Sequence, residues 1–355
     1  MPFFPRRATP HPHQACRSVL QKAVRRGHVE LTRQTAHHLL AAGDTAWLRQ
    51  RVGVIVFEEC WPLAADLDWG PAPAAIVERL VRVAAAVKVK DATGLGSLAY
   101  ALTKGKESVL AYEWAARHVE RVAAAIREPS AFWSWARERA ADERGRAVVE
   151  AARQAYRRGG WPWDQAFMLA AACLAVSEDA PAAQRAAPVR AEFPFWVALD
   201  RHTPRGKLVL REVARREGFN LSQLRWTSFY FEGARTNEAV PSAWWDAEVE
   251  WRLRQVGLDP VSGREFWDRA RPAVEAALAG EAAALREHVL APAPCPAPGA
   301  RPGAGRRGAR ALALLQERRG AREQRQATIA AAGQLAQRGG RGRDPVRWAR
   351  EKRAG

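Results

Sequence analysis

Apolar residues recur at helical spacing along most of this chain, and the alternating pattern of half-buried strands is nearly absent. Ile76, Leu80, Val83 and Val87 fall at positions i, i+4, i+7 and i+11, which places them on one face of a helix. Runs of helix breakers such as DWGPAPA at 68–74 separate one apolar stretch from the next. The sequence therefore predicts an all-α protein, built as a multi-helix bundle or array.

Two short stretches predict exceptions to this helical pattern. The run WTSFYF at 226–231 is rich in aromatic residues and is the best strand candidate in the chain. Gly94 and Gly96 lie close together and predict a turn. We therefore expect one short strand and one glycine-rich loop within an otherwise helical body.

Breaker runs and changes in composition divide the chain into five parts. The run from 291 to 310 consists of Pro, Gly, Ala and Arg with almost nothing to bury, so we expect it to be disordered. The predicted parts are a flexible N-terminus at 1–13, a helical domain at 14–176, a linker at 177–192, a tryptophan-rich helical domain at 193–285, and a basic low-complexity tail at 286–355, mostly disordered.

The net charge of +18 is unevenly distributed. Residues 281–355 contain sixteen Lys/Arg against six Asp/Glu, which gives this segment a net charge of +10 and more than half of the excess. Such a balance indicates a polyanionic partner, of which nucleic acid is the commonest. The alternative is an arginine-rich, solvated surface with no specific partner.

Several kinds of site are not indicated by the residue patterns. The four cysteines form no CxxC pair, which predicts neither a zinc site nor a disulfide framework and fits a cytoplasmic setting. Adjacent His37 and His38 would point about 100° apart on a helix and make a poor metal pair, so we expect one of them to be partly buried. Phosphate-loop, dinucleotide and nucleophile motifs are missing, and no apolar run is long enough to span a membrane. We predict no enzyme activity, no metal and no cofactor.

The stretch DRHTPRGK at 200–207 carries the most concentrated signal. Thr203 and Pro204 are favoured as the cap and first residue of a helix, and Gly218 fits its C-terminal stop. Arg205, Gly206 and Lys207 then lie in the first turn, where the helix dipole disfavours cations but favours a bound anion. This pattern predicts a phosphate contact; a structural cap with solvated arginines is the alternative, and catalysis through His202 is a third interpretation.

Further cations extend the predicted nucleic-acid interface, and aromatic pairs offer rings on which bases can stack. We expect phosphate contacts from Lys22, Arg25 and Arg26 near the start of the chain and from Arg306, Arg307, Arg341 and Arg343 in the tail. The candidate stacking rings are Trp161 and Trp163 and the adjacent pair Trp244–Trp245. For each of these pairs, burial in the core is the alternative.

Residues 20–59 resemble the start of the C-terminal helical region of the RarA/MgsA-type replication-associated recombination ATPases, which are relatives of clamp loaders. The matching positions are Leu20-Gln21-Lys22-Ala23, Arg25, Leu39-Leu40, Ala42-Gly43-Asp44, Arg51-Val52, Ile55 and Glu58-Glu59. The resemblance implies a helical collar that oligomerises at stalled replication forks. It covers about 40 of 355 residues, no ATPase motif precedes it, and the later part of the chain departs from the family pattern, so ATP hydrolysis is not implied.

These patterns together predict a non-enzymatic accessory protein of DNA replication, recombination or repair that binds nucleic-acid phosphates and forms homo-oligomers. Reversal of Arg205 and Lys207 to Glu is expected to weaken that binding. One alternative is a protein–protein adaptor that docks an AAA+ ATPase or another replication protein without touching nucleic acid. Another is an enzyme that uses His202 with Asp200 or with Glu58 and Glu59.

Overall fold

Helix follows helix throughout the computed structural model, which describes residues 12–177, 181–189 and 201–290. The α-helices are α1 (Pro12–Arg25), α2 (Val29–Ala41), α3 (Thr45–Glu59), α4 (Pro73–Ala85), α5 (Asp91–Leu102), α6 (Glu113–Arg127), α7 (Pro129–Arg139), α8 (Glu143–Arg158), α9 (Pro162–Ser177), α10 (Pro204–Glu217), α11 (Leu221–Ser228), α12 (Ala243–Arg254) and α13 (Pro260–Leu290). Two 3₁₀ turns lie at Trp61–Asp66 and Glu107–Ala111. Within the described residues no strand forms, which confirms the all-α prediction.

The apolar helix α9 forms the centre of the larger core. Its residues 166–175 are all buried, and it packs against α5 and α8. A Cβ at Gly96 would come within 2.9 Å of the carbonyl oxygen of Ala166, and one at Gly94 would overlap the backbone of Trp244. The predicted turn at these glycines is therefore wrong: both lie inside α5, where they allow α9 and α12 to approach closely.

A second, smaller core cluster is built from α10, α11 and the first half of α13. It contains Leu210, Val213, Leu224 and Trp267, which are almost fully buried. Near its end α13 leaves this cluster, and Leu285 belongs to the larger core instead. The long helix α13 thus joins the two cores.

The predicted start and stop of α10 are confirmed. Thr203 Oγ1 accepts a hydrogen bond from the Gly206 backbone N–H at 3.0 Å, and Pro204 is the first helical residue. Gly218 ends the helix with φ at +71°, a conformation that L side chains rarely adopt. The sequence DRHTPRGK therefore does contain a capped helix start.

The strand predicted for residues 226–231 is wrong. Residues up to Ser228 belong to α11, and Phe229–Gly233 form a single π-helical turn that continues it. Buried Tyr230 donates a hydrogen bond to Glu248 Oε1 at 2.6 Å, which fixes this turn against α12. Tertiary packing thus outweighs the strand propensity of the aromatic residues.

The segment after α4 connects the first and second parts of the chain. Its residues form isolated bridges, Cys60 with Val89, Ala86 with Arg185, and Lys88 with Ala239. Residues of the predicted linker at 177–192 that the structure describes therefore pair with the first helical part. Helix α12 also packs on α5, so the two predicted helical domains contact each other directly.

Residues 1–11 and 291–355, which hold most of the predicted N-terminal segment and tail, lie outside the described residues. Helix α13 continues to Leu290, past the predicted boundary at 285. In the part of the chain that is described, no helix has the length and apolar character needed to cross a membrane.

Candidate functional site

A network of buried charges connects α1, the end of α3 and the start of α5. Glu59 accepts hydrogen bonds from Arg25 Nε at 2.6 Å and from Lys90 Nζ at 2.9 Å. Arg25 also reaches Glu58 at 2.7 Å. Burial raises the pKa of Glu59, but the charges of Arg25 and Lys90 outweigh burial and lower it from 4.5 to about 2. Glu59 therefore stays ionised between two cations.

Two other cations are buried beside this network. Arg26 donates to Glu232 Oε1 at 2.6 Å, across 206 residues of sequence. Burial lowers the pKa of Lys88 from 10.5 to about 8, because the nearby charge of Glu59 offsets only part of the cost. Lys88 Nζ donates to carbonyls at the end of α4, including that of Val83 at 2.9 Å. These charges hold helices together.

The structure therefore places three predicted phosphate contacts away from open solvent. Lys22, Arg25 and Arg26 are only 5–6% exposed. The sequence pattern did not reveal this, because the carboxylates that face Arg25 and Arg26 lie 33 to 206 residues away. Lys22 and Arg25 do, however, line a cavity.

This larger cavity has a volume of about 670 Å³ and lies between α1, α3, α5, α9, α11 and α12. Its wall combines five cations with three carboxylates and several aromatic rings. The charged lining residues are Lys22, Arg25, Arg51, Lys90, Arg201, Glu58, Asp164 and Glu248, and the rings are Tyr100, Trp161, Trp163, Phe167, Phe229 and Trp245.

Most of the charges around the larger cavity are fixed by partners. Arg51 lies 2.8 Å from Asp164 and 3.5 Å from Glu58. Lys90 lies over the Trp245 ring at 5.0 Å from its centroid. These contacts leave a preorganised wall of cations and rings with a small positive excess.

An adjoining cavity of about 420 Å³ has a different composition, and we call it the cationic cleft. It is lined by Tyr100, Trp163, Arg201, His202, Lys207, Arg225, Trp226 and Arg252. Among the described residues, no Asp or Glu lines it. Four residues, Tyr100, Trp163, Arg201 and His202, are shared with the larger cavity, so the two form one continuous depression.

Stacked rings and guanidinium groups form the wall of the cationic cleft. Tyr100 and Trp163 are nearly parallel, with centroids 6.2 Å apart. The Arg201 guanidinium lies 3.9 Å from the Trp226 centroid and 4.2 Å from that of Phe229. These cation–π contacts orient the Arg201 side chain at the boundary of the two cavities.

The three candidates in the first turn of α10 have different surroundings. Arg205 is ion-paired with Glu281 of α13, and the N–H of Gly206 is used by the Thr203 cap. Lys207 is exposed and lines the cationic cleft. Of these three residues, the structure thus brings only Lys207 to the candidate site.

The structure also places the tryptophan candidates in two different environments. Trp161, 72% exposed, and Trp163 line the larger cavity together with Trp245. Trp244 is buried and packs against Trp114 at 4.6 Å between ring centroids. The tail candidates Arg306, Arg307, Arg341 and Arg343 lie outside the described residues.

Sequence reasoning missed Arg201, Arg225, Trp226 and Arg252 as members of one site. The available signal was the position of Arg201 in the stretch 200–207. Asp200, its neighbour, lies outside the described residues. Sequence reasoning also did not bring together Cys16, His38 and His288, which come from α1, α2 and α13 and whose ligating atoms lie within 4.8 Å of one another.

No family model, no curated protein and no solved structure matches this chain. The resemblance of residues 20–59 to the replication-associated recombination ATPases therefore stays a prediction.

Proposed function

We propose that the protein is a non-enzymatic, nucleic-acid-binding accessory protein of DNA replication, recombination or repair, and that single-stranded nucleic acid lies in the cationic cleft. The observation that carries this proposal is the cleft's lining of four Lys/Arg residues and three aromatic rings without a carboxylate. Proteins that bind single strands with little sequence preference combine these two features.

The cations supply the contacts to phosphates. Lys207, Arg225 and Arg201 line the cleft, as does Arg252, whose Nε lies 3.4 Å from Glu248 Oε1. Guanidinium groups bind phosphate oxygens in pairs, and each neutralised phosphate releases a condensed counterion. Binding should therefore weaken steeply as the salt concentration rises.

The rings favour a single strand over a duplex. Trp163 and Tyr100 are only partly buried, so they have surface available for a base, whereas the Trp226 ring already contacts Arg201 and stacks on Tyr230. Bases stack on aromatic rings for about 1–3 kcal/mol each, and a duplex keeps its base faces covered. The larger cavity adjoins the cleft, and its 670 Å³ falls within the usual size range of small-ligand sites, so it has room for a nucleotide at the end of the strand.

The cellular context rests on the sequence resemblance. It supports a protein that meets DNA at replication forks and forms homo-oligomers or docks an AAA+ ATPase, whereas the proposed cytoplasmic location rests on the cysteine pattern. The tail arginines would add contacts that are independent of base sequence.

Fluorescence anisotropy with labelled single-stranded and duplex oligonucleotides tests the proposal. We expect Lys207→Glu combined with Arg225→Glu to weaken single-strand binding by at least about tenfold, because two phosphate contacts become repulsive. Arg49→Glu is the matched control: Arg49 is an exposed cation of α3 two residues before Arg51, and so points away from the cavity. Equal affinities for all three proteins would reject the cleft as the binding site.

One observation favours an enzyme as the second candidate. His202 and Glu58 line the same cavity, and a histidine and a carboxylate can act together in acid–base chemistry. Glu58 is ion-paired with Arg25 and Arg51. If oligonucleotides and nucleotides are recovered intact after incubation with the protein, the result agrees with a binding protein. If they are chemically changed, and His202→Ala abolishes the change, the protein is an enzyme and the binding proposal is rejected.

The protein–protein adaptor remains the alternative without nucleic acid. Full-length protein that leaves every oligonucleotide unshifted at low salt, but retains an ATPase or replication protein from nuclease-treated lysate, would favour the adaptor.

A further inference from the structure

Three side chains that bind metals well in other proteins meet where α1, α2 and α13 contact one another. The ligating atoms of Cys16, His38 and His288 all lie within 4.8 Å of one another. The two imidazole rings approach edge to face, with centroids 4.8 Å apart. The residues are separated by 22 and 250 positions in sequence, so the fold creates the cluster.

Two members of this cluster, Cys16 and His288, have buried groups. Cys16 is fully buried, and His288 Nε2 is buried with no hydrogen-bond partner among the described residues. A buried imidazole nitrogen without a partner costs free energy unless something satisfies it.

We propose that Cys16, His38 and His288 bind one Zn²⁺ ion. A thiolate and two imidazoles are a donor set that suits zinc, and three protein ligands with a fourth position for water are common for this ion. In a tetrahedral site the donor atoms lie about 3.4–3.6 Å apart, so the present cluster has to contract by about 1 Å. On binding, the Cys16 S–H bond breaks, sulfur bonds to zinc, and the proton leaves to solvent.

The site would connect the end of α13 to the beginning of the chain. Leu285 and Val289, on either side of His288, belong to the larger core, whereas the first half of α13 belongs to the smaller one. Zinc would therefore fix the last described turns of α13 against α1 and α2. This inference does not rest on the proposed nucleic-acid binding, because none of the three ligands lines either cavity.

Metal content and spectroscopy test the proposal on the full chain. Protein dialysed against zinc and then against metal-free buffer should retain about one zinc ion per chain, measured by mass spectrometry. Cobalt(II) added to zinc-free protein should produce the near-ultraviolet absorption of a cobalt–thiolate bond. His288→Ala and Cys16→Ser should each weaken zinc binding by more than about tenfold, since even outer-sphere partners of metal ligands contribute 10- to 100-fold.

The control is His37→Ala, which removes an exposed histidine next to His38 that is outside the cluster. This variant should bind zinc as the wild type does, and circular dichroism should show that all variants are folded. Wild-type protein without retained zinc and without a cobalt–thiolate band would overturn the proposal, even if a ligand variant failed to fold. Zinc binding that is unchanged in both His288→Ala and Cys16→Ser would overturn it as well.

Discussion

Lys90 Nζ lies 2.9 Å from Glu59 Oε2, and the two side chains are only 3% and 1% exposed. Arg25 contacts the same carboxylate from the other side, at 2.6 Å. The carboxylate thus holds two cations of the larger cavity's wall in place. A buried ion pair is a weak source of stability by itself, but removal of one partner leaves the other charges unpaired.

Glu59→Gln should therefore destabilise the protein strongly. It leaves Lys90 without its carboxylate partner and Arg25 with Glu58 alone, and removal of one partner from a buried ion pair costs about 3–5 kcal/mol in other proteins. Urea unfolding followed by circular dichroism measures the change. Glu30→Gln is the control, because its pair with Arg33 is exposed and should contribute less than about 1 kcal/mol. Similar losses in both variants would contradict the role of the buried network.

Acid should remove the stabilisation that the Glu59 carboxylate provides. Its pKa in the folded protein, about 2, lies below the ordinary value of 4.5. The unfolded chain therefore binds the proton first as the pH falls, so the contribution is complete above about pH 4.5 and is lost progressively down to about pH 2. The difference in unfolding free energy between wild type and Glu59→Gln should shrink over this range. If the difference in unfolding free energy between the two proteins stays constant from pH 6 to pH 2, the stabilising role of the ionised Glu59 is contradicted.

Gly94→Ala should separate α5 from α12. The added methyl group would overlap the backbone of Trp244 and Trp245, which cannot rotate away as a side chain can. Overpacking of this kind costs about 1–3 kcal/mol or more. Gly280→Ala is the control: nothing lies within 4 Å of a Cβ there, and alanine should stabilise α13 by up to about 1 kcal/mol. If thermal unfolding shows that both substitutions change the stability in the same direction, the close contact between α5 and α12 is contradicted.

The two cations in the first turn of α10 should differ in their effect on nucleic-acid binding. Lys207→Glu should weaken binding and reduce the slope of log Kd against log salt by about 1, since Lys207 lines the cationic cleft. Arg205→Glu breaks a half-exposed pair with Glu281 and should change stability by less than about 1 kcal/mol, with little effect on affinity. Anisotropy titrations at several salt concentrations measure both. A larger loss from Arg205→Glu would favour an anion site at the helix start.

Local rules predicted the parts of the fold that depend on neighbouring residues. Thr203, Pro204 and Gly218 gave the limits of α10, because capping and glycine termination are decided within a few residues. The prediction of a strand at 226–231 was wrong because a residue distant in sequence decides the conformation there: Glu248 holds Tyr230 by a hydrogen bond. Gly94 was interpreted as a turn for the same reason: its close contact is with Trp244, 150 residues away.

The candidate site was harder to predict, because charge alone does not reveal which side chains are already neutralised. Arg25 and Arg26 look like a basic surface in sequence, but Glu59 and Glu232 turn them into buried pairs. Lys207 is also part of a basic stretch in the sequence, but its side chain does line the cationic cleft. The distinction depends on tertiary partners, which residue spacing does not encode.

The most direct test of the central claim measures whether bases stack in the cationic cleft. A single-stranded oligonucleotide containing 2-aminopurine is titrated with full-length protein, and its fluorescence is recorded, because stacking on an aromatic ring quenches this base. We predict strong quenching with wild type and with Arg49→Glu, and its loss with Lys207→Glu combined with Arg225→Glu. Binding without quenching, or equal quenching by all three proteins, would contradict a strand held in the cleft.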